Sequence, residues 1–243
     1  MHTYIILPTF NESGTILNLL KRFKEHDLGQ PYSILIVDDG SYDNTPRLIR
    51  NIKDLPIQIK THPENRGLGE AIKTGFISAL DIAKPNDAIV VMDADDTHNP
   101  NQINKMLLML TNGYDVIIAS RFQKGAEIKG VPINRQLYSR VASALFQKIY
   151  PIQGVKDYTC GYRTYRASIL QNAFNRWGNS FINETGFSCM VDIILKLDYI
   201  NAKMTEIPLV LRYDRKVGKS KMPIAQNIVK TLELLLIRKI GQW

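Results

Sequence analysis

Short apolar runs alternate with segments of helical periodicity through the first half of this 243-residue chain. The runs are rich in β-branched residues, and in the segments between them apolar residues recur every three to four positions. Apolar strands that alternate with helices are typical of a parallel sheet covered on both faces. The sequence therefore predicts an α/β fold, with strands at 2–7, 32–37, 57–62, 87–92 and 114–120 and helices at 12–26, 43–55, 67–83 and 101–110.

The pattern becomes irregular after residue 122. A helix is expected first, then a polar, turn-rich stretch, two helices, a short strand, a basic loop and a last helix. Their expected bounds are 133–149, 154–166, 168–176, 186–198, 203–209, 212–223 and 223–240. No internal repeat or low-complexity linker divides the chain. We expect one domain over residues 1–222 and a C-terminal amphipathic helix over residues 223–243.

Polar side chains follow four of the expected strands at the point where each strand ends. In open parallel sheets, ligands bind beyond the carboxyl ends of the strands. The four motifs should therefore meet at one ligand site, and this convergence is stronger evidence than any single motif. They are PTFNE (8–12), DDGS (38–41), DADD (93–96) and SRF (120–122).

Three carboxylates lie within four residues, at Asp93, Asp95 and Asp96. Like charges repel, so a divalent cation would make the cluster tolerable. Mg2+ and Mn2+ prefer oxygen ligands, and Mg2+ usually binds through one or two carboxylates together with substrate phosphates. Asp93 and Asp95 point the same way on an extended backbone. For this stretch alone a helix cap or a solvated turn is the alternative, but the neighbouring DDGS motif favours a metal site.

Other motifs exclude some classes of function. Neither a Gly-x-Gly-x-x-Gly nor a Walker sequence occurs, which disfavours dinucleotide-binding and NTPase functions. NRGLGEA (65–71) places two glycines before a helix and fits a phosphate loop or a simple helix start equally well. Cys160 and Cys189 lack the spacing of a metal site and are expected to be buried thiols. Arg163 and Arg166 are expected to be structural.

The charge and hydropathy patterns concern the partners of the protein. A formal net charge of +8 suggests a polyanionic partner, such as nucleic acid, an anionic membrane or a phosphorylated substrate. No run reaches the roughly 18 apolar residues of a membrane span. The N-terminus also lacks the basic region of a signal peptide. We expect a cytoplasmic protein, soluble or peripheral to a membrane on its cytosolic face.

Five motifs resemble those of inverting glycosyltransferases of family 2, which have the GT-A fold. They are ILPTFNE (6–12), ILIVDDGSYDNT (34–45), ENRGLGEAIKTGF (64–76), VVMDAD (90–95) and IASRF (118–122). Two later motifs, KDYTCGYRTYR and RKVGKSK, resemble the dolichyl-phosphate mannose synthase branch, whose members load a sugar onto a polyprenyl phosphate. The resemblance spans residues 3 to 222. It implies a mostly parallel central sheet flanked by helices, with an irregular C-terminal half on the acceptor side.

The resemblance also implies particular site residues. Those implied to hold the nucleotide-sugar donor, GDP-mannose or a UDP-hexose, are Pro8, Phe10, Glu12, Val37, Asp39, Asp93, Ala94, Arg215 and Lys221. Those implied to hold Mg2+ or Mn2+ are Asp93, Asp95 and Thr97, the last standing where glutamine is common in the family. Those implied to hold the acceptor phosphate are Arg121, Arg135 and Ser220, with Ser220 in the basic loop that would close over the donor. Asp95, Arg121 and Arg135 are the implied catalytic residues.

A phosphate acceptor explains why arginines would replace a general base. A phosphate is already an anion at neutral pH, so it needs orientation and charge neutralisation more than deprotonation. The guanidinium group provides both, because its fork binds phosphate oxygens bidentately. Positioning of this kind contributes on the order of 7–11 kcal/mol at its limit.

The last helix and the basic charge suggest further partners. An apolar stripe runs through 224–240, flanked by Lys230, Arg238 and Lys239. Such a helix either packs on its own domain or lies on an anionic membrane surface, and we favour the membrane. Family relatives often carry transmembrane helices after this point, so a membrane-anchoring protein partner is a further expectation. The expected substrates are a nucleotide-sugar donor and a polyprenyl-phosphate acceptor.

Two alternatives stay open at the level of sequence. A family 2 transferase acting on a sugar or lipid hydroxyl would need a catalytic carboxylate near the acceptor, for which Asp157 or Asp192 could serve. A non-enzymatic basic module would bind nucleic acid, with aromatic side chains between its basic clusters. The converging carboxylates argue against this module, since they would repel a phosphate backbone, and nucleic acid is not an expected partner.

Overall fold

A seven-stranded sheet forms the centre of the computed structural model, which describes residues 1–217 and 224–241, with side chains omitted for residues 224–228. Its strands are β1 Thr3–Thr9, β2 Tyr32–Asp38, β3 Ile57–Thr61, β4 Ala88–Val91, β5 Val116–Ser120, β7 Arg163–Arg166 and β8 Met204–Pro208. Their order across the sheet is β3-β2-β1-β4-β7-β5-β8. Two further strands, β6 Glu127–Lys129 and β9 Val210–Arg212, pair in a small parallel sheet that the sequence did not predict.

Helices cover the sheet, as the alternation in the sequence predicts. They are α1 Ile16–Glu25, α2 Thr45–Arg50, α3 Leu68–Leu80, α4 Gln102–Thr111, α5 Ile133–Ile149, α6 Ala167–Trp177, α7 Cys189–Tyr199 and α8 Ile224–Lys239. The apolar stripe expected on α1 is buried at Ile16, Leu19, Leu20 and Phe23. Strands β4 and β5 are buried along their whole length. The predicted α/β class is therefore confirmed.

The sheet is parallel except at one strand. β1 pairs with β2 and β4, β2 with β3, and β5 with β8, all in parallel. β7 is antiparallel and separates β4 from β5. The sequence did not predict β7, because RTYR is polar. Tertiary contacts explain its burial: Arg163 donates to the carbonyls of Tyr158 and Met190, and Arg166 donates to those of Leu110 and Tyr114.

Helix α8 packs on the rest of the structure through contacts with α5 and α7. Leu234 and Leu235 are buried. Arg238 also pairs with the buried Asp192 of α7, at 2.7 Å between NH2 and Oδ1. The helix is therefore attached to the domain, while part of its apolar surface stays exposed. In the described part of the chain, no helix has both the length and the apolar character needed to cross a membrane.

Candidate active site

A cavity of about 690 Å3 lies at the carboxyl ends of β1, β2, β4 and β5. Because these strands run in parallel, the polar residues that follow them reach one edge of the sheet, as the sequence predicts. Helix α5 and the segment after β9 complete the wall. The cavity brings together ten of the predicted site residues: Pro8, Phe10, Glu12, Asp39, Asp93, Ala94, Asp95, Thr97, Arg121 and Arg135.

The three clustered carboxylates have three different environments. Asp96 has a φ of 59° and points to Arg22 of α1, with 2.7 Å between its Oδ1 and Nε. Asp95 forms an ion pair with Lys216. Asp93 lines the cavity and is 44% exposed there. The backbone turn and two cations thus separate charges that the sequence places side by side.

The pKa values of Asp93 and Asp95 shift in opposite directions. Burial alone would raise the pKa of Asp95, but the nearby charges of Lys216 and His98 bring it below its ordinary value. Asp93 is exposed only to the cavity, and desolvation by the surrounding protein raises its pKa; His98 opposes this effect and the charge of Asp95 adds to it. Asp95 is therefore the more firmly ionised of the two. An added cation beside Asp93 would favour its ionised form as well.

Asp93 and Asp95 fit a divalent cation that takes its remaining ligands from a substrate. Both are hard oxygen ligands at the cavity wall. The hydroxyl of Thr97 donates to Oδ1 of Asp95 at 2.6 Å and so fixes its orientation. Within the described residues, no group of three or more His, Cys, Asp or Glu side chains could hold a metal alone. A two-carboxylate site that is completed by phosphate oxygens agrees with this arrangement.

Asp39 organises the other side of the cavity. Its carboxylate contacts Nδ1 of His62 at 2.7 Å and accepts hydrogen bonds from the backbone N–H groups of Arg66 and Gly67, both at 2.9 Å. It therefore ties the end of β2 to the start of α3. Near this point, the ring of Phe10 meets that of Tyr42 edge-on, with 5.8 Å between centroids.

The two glycines of NRGLGEA serve close packing. A Cβ on Gly69 would lie 1.8 Å from the carbonyl oxygen of Glu184, and one on Gly67 would lie 2.5 Å from that of Thr185. The N–H of Gly69 donates to the Thr185 carbonyl at 3.0 Å. The start of α3 thus holds the 184–185 segment, and this contact explains the glycines without a phosphate.

Arg121 is held by Asp157 in a bidentate pair. Nε and NH2 of Arg121 lie 2.8 and 2.6 Å from the carboxylate oxygens of Asp157, which is fully buried. Burial alone would lower the pKa of Arg121, but Asp157 raises it overall. Conversely, burial would raise the pKa of Asp157, but Arg121 lowers it overall. Asp157 thus fixes the position of the Arg121 guanidinium at the cavity wall, after β5.

Arg135 lies on the first turn of α5. Its NH1 donates to the hydroxyl of Tyr213 at 2.7 Å, and its guanidinium lies over the Tyr213 ring, 5.5 Å from the centroid. Arg135 is half-buried. The two predicted phosphate-binding arginines therefore reach the same cavity from different elements.

Several predicted residues lie elsewhere. Val37 is fully buried in β2 and does not line the cavity. Arg215 lies in a separate pocket of about 190 Å3, which it shares with Arg22 and His26. Ser220 and Lys221 lie outside the described residues.

The two candidate bases for a hydroxyl acceptor do not line the cavity. Asp157 is engaged by Arg121 and by the backbone N–H groups of Thr159 and Cys160. Asp192 is fully buried between Lys196 and Arg238.

The structure adds two residues that the sequence analysis missed, Tyr213 and Lys216. Both line the cavity from a short 3-10 turn and the residue after it. The basic character of the loop was visible in the sequence. Which of its cations faces the acidic cluster depends on the turn, which directs Lys216 towards Asp95 and Arg215 away from the cavity. No sequence signal distinguishes the two.

Comparison with known proteins now identifies the family. The profile described as Glycosyl transferase family 2 matches residues 4–174. The chain belongs to glycosyltransferase family 2. It is therefore an enzyme, and the alternative of a non-enzymatic nucleic-acid-binding module is wrong.

Two curated relatives of this glycosyltransferase cover most of its length. A dolichol-phosphate mannosyltransferase of Pyrococcus furiosus is 30% identical over 224 residues, 91% of this chain and 59% of the relative. A polyprenol monophosphomannose synthase of Mycolicibacterium smegmatis is 29% identical over 245 residues, 99% of this chain and 86% of the relative. The chain thus spans somewhat more than half of the Pyrococcus protein and most of the second.

A solved structure shows the same fold at low identity. Glucosyl-3-phosphoglycerate synthase from Mycobacterium tuberculosis, in complex with Mn2+, UDP and phosphoglyceric acid, superposes with a TM-score of 0.68 at 17% identity. The superposition covers 99% of this chain and 78% of the other. The GT-A fold expected from the sequence is confirmed.

Proposed function

We propose that this family 2 glycosyltransferase transfers a sugar from a nucleotide-sugar to a polyprenyl phosphate, with inversion and with Mg2+ or Mn2+. The observation that carries the proposal is the division of charge in the cavity. The carboxylates that line it, Glu12, Asp39, Asp93 and Asp95, follow β1, β2 and β4. Arg121 follows β5, and Arg135 lies in the first turn of α5. A cation-bound diphosphate suits the first group, and a phosphate acceptor suits the second.

The donor side would hold the nucleotide and the leaving diphosphate. The bound metal ion would offset the negative charge that develops on the diphosphate. Asp93 and Asp95 are the residues that would hold it, with Thr97 orienting Asp95. Pro8, Phe10, Glu12 and Asp39 would surround the nucleotide, with Asp39 keeping the first turn of α3 in place.

The acceptor side would bind and orient the phosphate. Arg121 contributes a charge that Asp157 keeps in position, and Arg135 contributes a second guanidinium from α5. A phosphate oxygen would attack the anomeric carbon from the face opposite the diphosphate, forming one C–O bond as the other breaks. The nucleophile is already an anion, so no side chain needs to remove a proton. Because neither Asp157 nor Asp192 faces the cavity, a hydroxyl acceptor is less well supported.

An exposed apolar face lies beside the acceptor side and suits the anionic cytosolic face of a membrane. On α5 its members are Ile133, Leu137, Tyr138, Val141 and Leu145; on α8 they are Val229, Leu236 and Ile237, followed by Ile240 just after the helix. Most of the α5 members recur every four residues, so they share one side of the helix. We call this set the apolar face. Arg140, Lys148 and Lys230 lie among its members and are exposed. Basic residues around an apolar helix surface favour anionic lipid.

The same two helices contribute to the cavity wall through Arg135, Ser139, Ser143 and Thr231. A polyprenyl chain could therefore stay in the bilayer while its phosphate reaches the arginines. A membrane-anchoring protein partner stays a prediction that the structure does not test.

A donor screen tests the proposal. Purified enzyme, Mn2+ and a short-chain polyprenyl phosphate are combined with GDP-mannose, UDP-glucose or UDP-N-acetylglucosamine, and the released nucleotide is measured. The names of the relatives make GDP-mannose the first donor to test. The matched control is the corresponding polyprenol, which lacks the phosphate. Transfer to the polyprenol at the same rate as to the phosphate would overturn the proposal.

A further inference from the structure

Lys216 places an ammonium group at the proposed metal site. Its Nζ contacts Oδ2 of Asp95, and the two side chains are 22% and 10% exposed. Asp95 is its hydrogen-bonding partner among the described residues, and Asp93 and Glu12 also lie close enough to interact with its charge. An ammonium group here neutralises the acidic cluster as a bound cation would.

The backbone around Lys216 is joined to the acidic loop. The N–H of Arg212 donates to the carbonyl of Thr97 at 2.9 Å, and Leu211 pairs with His98 in an antiparallel bridge. On the other side of Lys216, Val217 packs against Gly14. The Cα of Lys216 is therefore fixed beside the cavity. Its four-carbon stem is flexible, so Nζ can leave Asp95 without a movement of the backbone.

Tyr213 lies between Lys216 and the acceptor side. Its ring centroid is 5.9 Å from Nζ of Lys216 and 5.5 Å from Cζ of Arg135. A displaced Lys216 would thus stay inside the cavity, within reach of an anion bound between the carboxylates and the arginines.

We propose that Lys216 is a resident counter-cation of Asp95, which a divalent ion must displace, and that a donor diphosphate favours this displacement by offering Lys216 a new anionic partner. The inference rests on the proposed function, since it takes Asp93 and Asp95 as metal ligands. Lys216 is then a positioning residue that makes metal and nucleotide bind cooperatively. By linkage, each ligand must strengthen the binding of the other by the same factor.

The test measures Mn2+ binding to the full chain by electron paramagnetic resonance of free Mn2+, alone and with GDP or UDP. For Lys216→Met we expect Mn2+ alone to bind about tenfold tighter than in wild type, a value within the typical range of about 5–150-fold for couplings between two ligands. The factor by which GDP or UDP increases the Mn2+ affinity should be smaller than in wild type. Lys216→Arg keeps the charge and should behave as wild type. Lys105→Met is the matched control, because it removes an exposed lysine of α4 outside the cavity.

Two results would overturn the inference. One is Mn2+ binding in Lys216→Met that is no tighter than in wild type and Lys105→Met. The other is an unchanged effect of nucleotide on Mn2+ affinity. Loss of a merely structural contact would weaken Mn2+ binding, which is opposite to the expectation, and Lys216→Gln checks the result with a second neutral side chain.

The donor screen distinguishes the inference from the proposed function. Sugar transfer by wild type, together with unaltered Mn2+ affinity in Lys216→Met, overturns the inference alone. Tighter Mn2+ binding in Lys216→Met supports it, even when wild type transfers no sugar to polyprenyl phosphate.

Discussion

The proposed donor side and the proposed acceptor side of the cavity are built in different ways. Donor-side residues follow the parallel strands β1, β2 and β4, and buried contacts such as that between Asp39 and His62 hold them. Acceptor-side residues come from the end of β5, from α5 and from the segment after β9, and their partners are distant in sequence. Arg121 depends on Asp157, and Arg135 contacts Tyr213. The sheet edge therefore positions the first region, whereas the second also depends on a helix and a turn that lie outside the seven-stranded sheet.

The largest expected effect tests the donor side. Asp95→Ala removes a proposed metal ligand, and we expect sugar transfer to fall by about a thousandfold, since a bound cation supplies several kcal/mol to the transition state. The matched control is Asp96→Ala, which removes the neighbouring carboxylate. Asp96 does not line the cavity and pairs with Arg22 instead. Steady-state rates with and without EDTA provide the measurement. Full activity in EDTA would show that the acidic cluster does not serve a metal.

The next effect concerns stability on the acceptor side. Arg121→Ala leaves the buried Asp157 without its cation, and breaking such a pair lowers the free energy of unfolding by about 3–5 kcal/mol. Arg135→Ala removes a half-buried guanidinium on the first turn of α5 and should lower it by about 1 kcal/mol, a typical value for a point substitution. Urea unfolding measures both. Equal decreases in the free energy of unfolding would mean that the pair with Asp157 does not make Arg121 more important for stability than Arg135.

The pH dependence of this stability has a defined sign. The pKa of Asp157 is lowered in the folded protein, so its stabilising effect is present above the unfolded pKa of about 4 and is lost as the pH falls below it. The difference in the free energy of unfolding between wild type and Arg121→Ala should therefore become smaller in acid. A difference that widened below pH 4 would contradict the assignment of the pair.

Arg135 allows the acceptor site to be tested without a large loss of stability. Arg135→Ala should lower kcat/KM for the polyprenyl phosphate by about 10–100-fold, since hydrogen bonds to charged groups contribute roughly 1.5–3 kcal/mol. Arg135→Lys keeps the charge but lacks the guanidinium fork, so its kcat/KM for the polyprenyl phosphate should fall by less than that of Arg135→Ala. The KM for the donor should stay unchanged in both. Lys105→Ala, which removes an exposed cation of α4 outside the cavity, is the control, and an unchanged acceptor KM in Arg135→Ala would favour a hydroxyl acceptor.

The pH profile of the rate distinguishes an anionic nucleophile from a base. Below the second pKa of the acceptor, near roughly 6 for a phosphate monoester, the rate should rise about tenfold per pH unit, and it should be flat above. The pKa of Asp95 is lowered, so its protonation should affect the rate only at lower pH. A phosphonate acceptor with a higher second pKa should move the rise to higher pH. If the rise stayed in place, it would belong to the enzyme.

The smallest expected effect concerns the apolar face. Leu137→Ser should weaken cosedimentation with anionic liposomes by about fivefold, because a smaller apolar contact with lipid weakens the free energy of membrane binding by roughly 1 kcal/mol. Leu108→Ser on α4 is a matched control, because both leucines are 57% exposed. Point substitutions are preferable to removing residues 223–243, since α8 packs on α5 and α7. Equal weakening by both substitutions would exclude a specific membrane face.

The sequence by itself determined the α/β class, the helices over the parallel strands and the edge at which the site lies. It could do so because these features depend on periodicity and on where each strand ends, which are local properties of the chain. It also located Asp93, Asp95 and Arg121 at the cavity, through motifs that lie directly after strands, whereas Arg135 was implied by the resemblance to family 2.

Only the tertiary structure decided how the charges are paired. β7 was missed because RTYR is polar and its arginines donate to carbonyls of distant segments, such as those of Met190 and Leu110. Val37 and Arg215 were expected at the site but lie in the core and in a second pocket. Asp157 could be proposed as a base until its carboxylate was found bound to Arg121, 36 residues away. Lys216 lies 121 residues from Asp95. Partners so far apart leave no local pattern, because folding alone brings their charges together and burial makes their pairing necessary.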